Sequence, residues 1–322
     1  MQYRVLGRTG VKVSQLCYGT MSFGGDADES TSAALYKRCR DVGINFFDCA
    51  NSYSGGRSEE ILGKLIAGER DDVVITSKVF STMGPGVNQR GLARRNIMIE
   101  VENSLRRLQT DRLDILFVHN YDDETAMEET LRALDSLVQQ GKVLYPGVSN
   151  WAAWQMAKAH GISAREGLAR FECIQPMYNL TKRQVEVEIL PFALSENVAV
   201  IPYSPMGGGL LSGKYAANKR PESGRLVNNE MYMSRYGDEN YYQIAGDFTA
   251  HAQEKGIHPA TLAVAWVMHH PAVTAPIIGA RNVDQLEGSL AAIDVAMTDE
   301  WWDEISNLSY TPPPATDRSE ER

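Results

Sequence analysis

The sequence predicts a (β/α)8 barrel of the TIM type, with an N-terminal β-hairpin and long loops at the carboxyl-terminal face of its strands. Three observations carry this. The 322 residues, 43% of them apolar, can bury a large core, and barrels of this kind commonly run to about 250 residues or more as one domain. Short β-branched and aromatic runs alternate with longer amphipathic segments, the mark of repeated βα units around a parallel sheet. Polar residues close several apolar runs, where a barrel carries its reacting groups. A single domain over 1–322 is expected, with a disordered tail at 315–322 beyond the prolines at 312–314.

The elements follow in chain order. Tyr3 to Val13, with Gly7 and Gly10 inside it, reads as a hairpin ahead of the barrel. Barrel strands are expected at Gln15–Gly19, Asn45–Asp48, Val73–Lys78, Asp114–His119, Leu144–Val148, Glu172–Gln175, Ala199–Pro202 and Ala275–Ile278. Helices are expected near Ser30–Val42, Ser58–Ile66, Arg94–Leu108, Met127–Gln140, Ala152–Ala159, Gln184–Glu196, Gln243–Lys255 and Val283–Ala292. Arg94–Leu108 shows the reasoning: Ile97, Val101, Leu105 and Leu108 fall at helical spacing and make one stripe for the barrel. Phe80–Gly91, Met206–Tyr242 and the segment from Tyr310 are too long for simple turns, and long loops in compact domains are usually functional or disordered.

Composition narrows the function. The formal charge is −9, and no Lys/Arg block could neutralise a run of phosphates, so nucleic acid is excluded as a partner. The N-terminus lacks the apolar core of a signal peptide, and the longest apolar run, Leu262 to Met268, is far below membrane-spanning length, so a soluble cytoplasmic protein is expected. Cys17, Cys39, Cys49 and Cys173 are widely spaced, which argues against a zinc cluster or a disulfide framework, and they read as reduced. His160, His251, His258, His269 and His270 show no ligand spacing and read as surface or helix-end residues, so no metal is expected.

Four polar residues stand at or near strand ends. Asp48 closes INFFD, Lys78 closes VVITSK, His119 closes LDILFVH, and Tyr53 follows in NSYSGGRSEE. Their strands are the second, third and fourth, so the side chains should meet on one side of the barrel mouth. Reduction of a carbonyl by hydride leaves an alkoxide to be protonated near neutral pH, and a free tyrosine, with a pKa of about 10, is a reluctant donor. An ammonium beside it stabilises the phenolate. Lys78 can supply that charge and lower the phenol's pKa, Asp48 can hold the ammonium, and a neutral His119 can hydrogen-bond the carbonyl oxygen.

The segments INFFDCANSYSGGRSEEILGKLI, VVITSKV, LDILFVH, GKVLYPGVSN, FECIQPMYNL, VIPYSPMGGGLLSGKY and PIIGARNVDQL resemble, in order and spacing, the successive blocks of the aldo-keto reductase family. The resemblance implies a barrel that binds NADPH in extended form and reduces a small-molecule aldehyde or ketone, with Asp48, Tyr53, Lys78 and His119 as the catalytic set. It implies that Gly19, Thr20, Met21 and Asp48 border the cofactor. Ser149, Asn150 and Gln175 would hold the nicotinamide carboxamide, and Tyr203 would stack on its ring. Ser204, Pro205, Met206, Gly207, Gly208 and Lys214 would wrap the pyrophosphate, and Gly279, Arg281, Gln285 and Ser289 would receive the adenosine phosphate. The guanidinium of Arg281 suits a 2′-phosphate and favours NADPH over NADH.

Several residues depart from the family pattern: Gly288 and Ser289 where Glu and Asn are common, Cys49 for Thr, Asn120 after His119, and Pro146 interrupting a strand. Gly208–Lys214 nearly spells a phosphate loop of an NTPase, but Tyr215 stands where Ser or Thr must meet magnesium, which rejects that reading. Trp151 and Trp154 read as packing residues, and Trp301 and Trp302 as caps on the barrel exterior. Met21, Phe23, Tyr121, Met231, Tyr232 and Tyr236 are candidates to line a substrate pocket. The alternatives are an NADPH-binding regulatory subunit with little turnover, resembling the channel-associated members of the family, and an unrelated barrel isomerase or hydrolase, which would not bind NADPH. A homo-oligomer is left open.

Overall fold

The computed structural model describes residues 1–316. The hairpin is present: β1 (Tyr3–Val5) pairs antiparallel with β2 (Lys12–Ser14). Eight strands follow: β3 (Cys17–Gly19), β4 (Phe46–Asp48), β5 (Val74–Val79), β6 (Leu113–Val118), β7 (Val143–Ser149), β8 (Cys173–Gln175), β9 (Ala199–Val200) and β10 (Ile277–Ile278). They form one parallel sheet in the order β10-β3-β4-β5-β6-β7-β8-β9. The two edges meet, since the Thr274 N–H donates to the Val200 carbonyl at 2.8 Å and the Ile277 N–H to the Pro202 carbonyl at 2.8 Å. This curled parallel sheet is consistent with a TIM barrel.

The strand period of two organises the interior. Cys17, Phe46, Val74, Ile115, Phe117, Cys173, Ala199, Ile201, Ala275 and Ile277 form one buried cluster, with Leu6 and Val13 of the hairpin region belonging to it. Strand β7 contributes no side chain beside Phe117, because a Cβ on Gly147 would come 2.6 Å from that ring. A second, larger cluster fills the space between sheet and helices. Pro146 does not break β7: Leu116 stays in register with it, and its carbonyl accepts from the Glu172 N–H at 3.0 Å.

The helices are α1 (Glu29–Asp41), α2 (Arg57–Ile66), α3 (Arg94–Leu108), α4 (Met127–Gln139), α5 (Ala153–Glu166), α6 (Ile189–Glu196), α7 (Arg225–Asn228), α8 (Glu230–Tyr236), α9 (Glu239–Glu254), α10 (Pro259–His269), α11 (Val283–Leu290) and α12 (Asp299–Ser306). Several differ from the expectation. The expected helix over Gln184–Glu196 is a 3-10 turn at Gln184–Glu186 followed by α6. Helix α5 continues past Ala159 to a left-handed Gly167.

Helix α10 was not expected at all. Its core is the apolar run Leu262–Met268, and it is buried almost all round, so it has no polar face to reveal a period of 3.6. On α12, Trp302 stacks flat on Trp266 with centroids 5.4 Å apart, so it packs on α10.

The Phe80–Gly91 excursion is irregular and closes on itself, the Gly91 N–H donating to the Phe80 carbonyl at 2.7 Å. The 206–242 stretch is structured instead: a 3-10 turn at Gly207–Ser212, then α7, α8 and the start of α9. The expected disordered tail lies, from residue 317, outside the described residues.

Candidate active site

Two residues beyond the interior positions, the same strand phase emerges at the carboxyl-terminal rim. Gly19, Asp48, Lys78, His119, Ser149, Gln175, Tyr203 and Gly279 each follow an interior residue at i+2. The rim is therefore the continuation of the core, and a cavity of about 880 Å3 opens above it.

Asp48, Tyr53, Lys78 and His119 come together as the sequence predicts. The Lys78 ammonium has all three donors engaged: with Asp48 Oδ2 at 2.6 Å, the Cys49 carbonyl at 2.7 Å and the Tyr53 hydroxyl oxygen at 3.1 Å. Asp48 Oδ1 accepts from Thr76 Oγ1 at 2.8 Å and from Gln175 Nε2 at 2.8 Å. The ion pair is buried and fully hydrogen-bonded, the condition under which such a pair is tolerated. Tyr53 and His119 stand edge to face with centroids 6.4 Å apart.

Electrostatics departs from the expectation at Tyr53. Burial pushes its phenol up to about 12, and the Lys78 ammonium opposes this without overcoming it. Burial also works against the charge on Lys78, but Asp48 and Tyr53 outweigh it and the ammonium is held above its ordinary value. Burial, with the Lys78 charge adding to it, lowers His119 to about 3, which keeps the imidazole neutral. Its Nδ1 is buried without a partner among the described residues.

A chain of hydrogen bonds runs on around the rim. Ser149 Oγ donates to the Gln175 carbonyl at 2.9 Å, and Asn150 Nδ2 donates to Ser149 Oγ at 3.1 Å and to the His119 carbonyl at 3.0 Å. The Tyr203 hydroxyl donates to Asn150 Oδ1 at 2.8 Å. Asn150 and Ser204 hold left-handed backbones at φ 59° and 57°, strained positions of the kind that gather at functional sites. Asn179 secures the second by donating to the Ser204 carbonyl at 2.9 Å.

Gly19, Met21, Pro205, Met206, Gly208, Lys214, Gly279, Arg281 and Gln285 also line the cavity. Three residues expected at the cofactor do not. Thr20 is buried behind the rim, where its hydroxyl bonds the Asp48 carbonyl at 3.0 Å and Ser58 Oγ at 2.9 Å. Gly207 is buried under the 3-10 turn it begins, and Ser289 is buried on α11. Among the candidate substrate residues, Met21, Met231 and Tyr232 line the cavity. Phe23 lies in the core, Tyr236 is buried and bonded by Asn179, and Tyr121 packs edgewise on Trp151.

Sequence reasoning missed Thr76, Arg225 and Arg235. Thr76 precedes Lys78 by two in β5 and is the register neighbour of Asp48, so the strand period could have found it. Arg235 lies three and four residues after Tyr232 and Met231, the helical spacing that would have joined it to them.

Of the other histidines, His258 also lines the cavity. His258 Nδ1 caps α10 through the Ala260 N–H, and His251 takes the helix-end place of its reading, in the last turn of α9, where it is buried and accepts from Trp301 Nε1 at 2.9 Å. Among the described residues no group of three or more His, Cys, Asp and Glu could hold a metal ion, and no helix is long and apolar enough to cross a membrane.

The comparisons agree with this geometry. The family model described as "Aldo/keto reductase family" matches residues 15–309. The chain is 36% identical to a probable voltage-gated potassium channel subunit beta of Oryza sativa subsp. japonica, covering 98% of this chain and 99% of that one. It is 35% identical to the uncharacterized oxidoreductase YrpG of Bacillus subtilis, covering 93% of this chain and 93% of that one, and 35% identical to norsolorinic acid reductase stcV of Emericella nidulans, covering 94% of this chain and 79% of that one. With a match of that extent and a rim on which its blocks converge, the chain belongs to the aldo/keto reductase family.

Proposed function

We propose that this protein reduces an aldehyde or ketone to the alcohol with NADPH, and that Tyr53 donates the proton. The supporting observation is the donor arrangement at Lys78. Because the ammonium donates to the Tyr53 oxygen at 3.1 Å, the phenol's own hydrogen must point elsewhere, and the cavity that Tyr53 lines is the open direction. With its phenol at about 12, Tyr53 is protonated at neutral pH. As the proton leaves, the Lys78 charge stabilises the phenolate that forms, while Asp48, fixed by Thr76 and Gln175, keeps the ammonium in place. Neutral His119 orients the carbonyl oxygen. When bound, the nicotinamide supplies the hydride.

The lining residues fit such a cofactor. Ser149, Asn150 and Gln175 lie beside Tyr203, suited to a carboxamide on a flat ring, while Lys214 and Arg281 offer cations for phosphates. All four cysteines are free and buried, in keeping with a cytoplasmic protein.

The test is a titration of NADPH into the protein, followed by cofactor and tryptophan fluorescence and repeated with NADH. Tight NADPH binding with much weaker NADH binding supports the reading and the role of Arg281. Binding of neither overturns it. The likeness to the rice channel subunit favours a second reading, a cofactor-binding regulatory subunit. The two separate on whether the purified protein oxidises NADPH when offered reactive aldehydes.

A further inference from the structure

The cavity is lined by two cations, Arg225 on α7 and Arg235 on α8, that the reductase reading leaves without a task, and Arg235 is the one carried by the helix anchored to the rim. Arg235 lies on α8, whose Met231, Tyr232 and Arg235 all line the cavity at helical spacing. It is half-buried and makes no ion pair with a carboxylate among the described residues; its guanidinium lies 5.8 Å from the centroid of the Tyr232 ring. A partly desolvated guanidinium facing a cavity is a fork presented to an anion.

Its position separates it from the other cations. Lys214 and Arg281 lie in segments that the reductase reading gives to the cofactor's phosphates. The next residue on α8, Tyr236, accepts from Asn179 at 3.1 Å, and Asn179 also donates to the carbonyl of Ser204, the neighbour of Tyr203, at 2.9 Å. Tyr203 bonds Asn150, and Asn150 bonds the His119 carbonyl. Helix α8, which carries Arg235, is thereby tied to the stretch of cavity wall that leads through Tyr203 and Asn150 to His119. The cavity also has exposed apolar side chains in its lining: Met21 is 39% exposed and Met231, four residues before Arg235, is 46% exposed. Exposed apolar groups at a cavity mouth mark a place for an apolar ligand body.

We infer that the substrate is a carbonyl compound that joins an apolar body to an anionic group, with Met21 and Met231 covering the body and Arg235 receiving the anion. The inference rests on the reductase reading and adds the substrate class to it.

The test compares 4-formylbenzoate with 4-(hydroxymethyl)benzaldehyde, two aldehydes with closely matched ring electronics that differ in charge, as substrates of the full chain with NADPH. The wild-type protein should prefer the anion in kcat/KM by about tenfold or more, the scale of one charge-assisted contact. Arg235→Met, which keeps an unbranched apolar stem and removes the charge, should bring the two values to within about twofold by raising KM for the anion. Arg235→Lys should restore part of the preference. Equal use of both aldehydes by the wild type, or an undiminished preference in Arg235→Met, overturns the inference and leaves the reductase standing. Weakened NADPH binding in Arg235→Met with the preference intact assigns the anion to the cofactor and likewise overturns it. Turnover of neither aldehyde would instead overturn the reductase reading itself.

Discussion

Lys78 Nζ stands 3.1 Å from the Tyr53 hydroxyl oxygen, with its other two hydrogens taken by Asp48 and the Cys49 carbonyl. That saturation makes the ammonium a fixed charge rather than a mobile one, and it sets the direction of the phenol's proton.

Removing the charge should therefore cost stability as well as activity. Lys78→Met leaves Asp48 buried without its cation, and breaking one side of a buried pair costs about 3–5 kcal/mol. Urea unfolding should show a loss of that order. The double variant Asp48→Asn, Lys78→Met should recover part of the stability and none of the turnover.

The pH dependence of reduction follows from the proton donor. Tyr53 is active while protonated, and with a phenol at about 12 the acid form is lost only as pH rises through that region. Reductive kcat/KM should be flat from about pH 6 to about pH 9, measured at saturating NADPH. A fall centred within that range would assign the donor role to another group.

His119 makes a separate prediction about folding. Its imidazole sits at about 3 in the folded protein against 6.5 ordinarily, so the unfolded chain takes up a proton first as pH falls. Its contribution to stability is present above about pH 6.5 and is lost as pH drops toward 3. Urea midpoints at pH 7 and pH 4.5 should fall more for the wild type than for His119→Asn.

Gly208 tests the contact between the loop after β9 and α8. It holds φ +67°, and a Cβ there would come 2.6 Å from the Tyr232 ring. Gly208→Ala should cost about 1–2 kcal/mol in stability and weaken NADPH binding, read by the same fluorescence titration.

Much of this was legible in the sequence because strands carry their period into the site. Asp48, Lys78 and His119 close apolar runs, and the structure brings them within reach of one another as those runs imply. Thr20, Gly207 and Ser289 show the limit. Each is adjacent in sequence to a residue that faces the cavity, yet each turns into the protein, since a motif fixes position along the chain and not the direction of a side chain. The net rise of the Tyr53 phenol was hidden for a related reason. A charge partner can be read from residue types, but the depth of burial that outweighs it depends on packing. Helix α10 was missed because a helix buried on every side has no amphipathic pattern.

Tyr53 as proton donor is tested most directly by NADPH oxidation with a reactive aldehyde by wild type and Tyr53→Phe, alongside a cofactor titration of each. Loss of at least about 10^2-fold in turnover with NADPH affinity nearly unchanged is the predicted result. Retained turnover in Tyr53→Phe would contradict it.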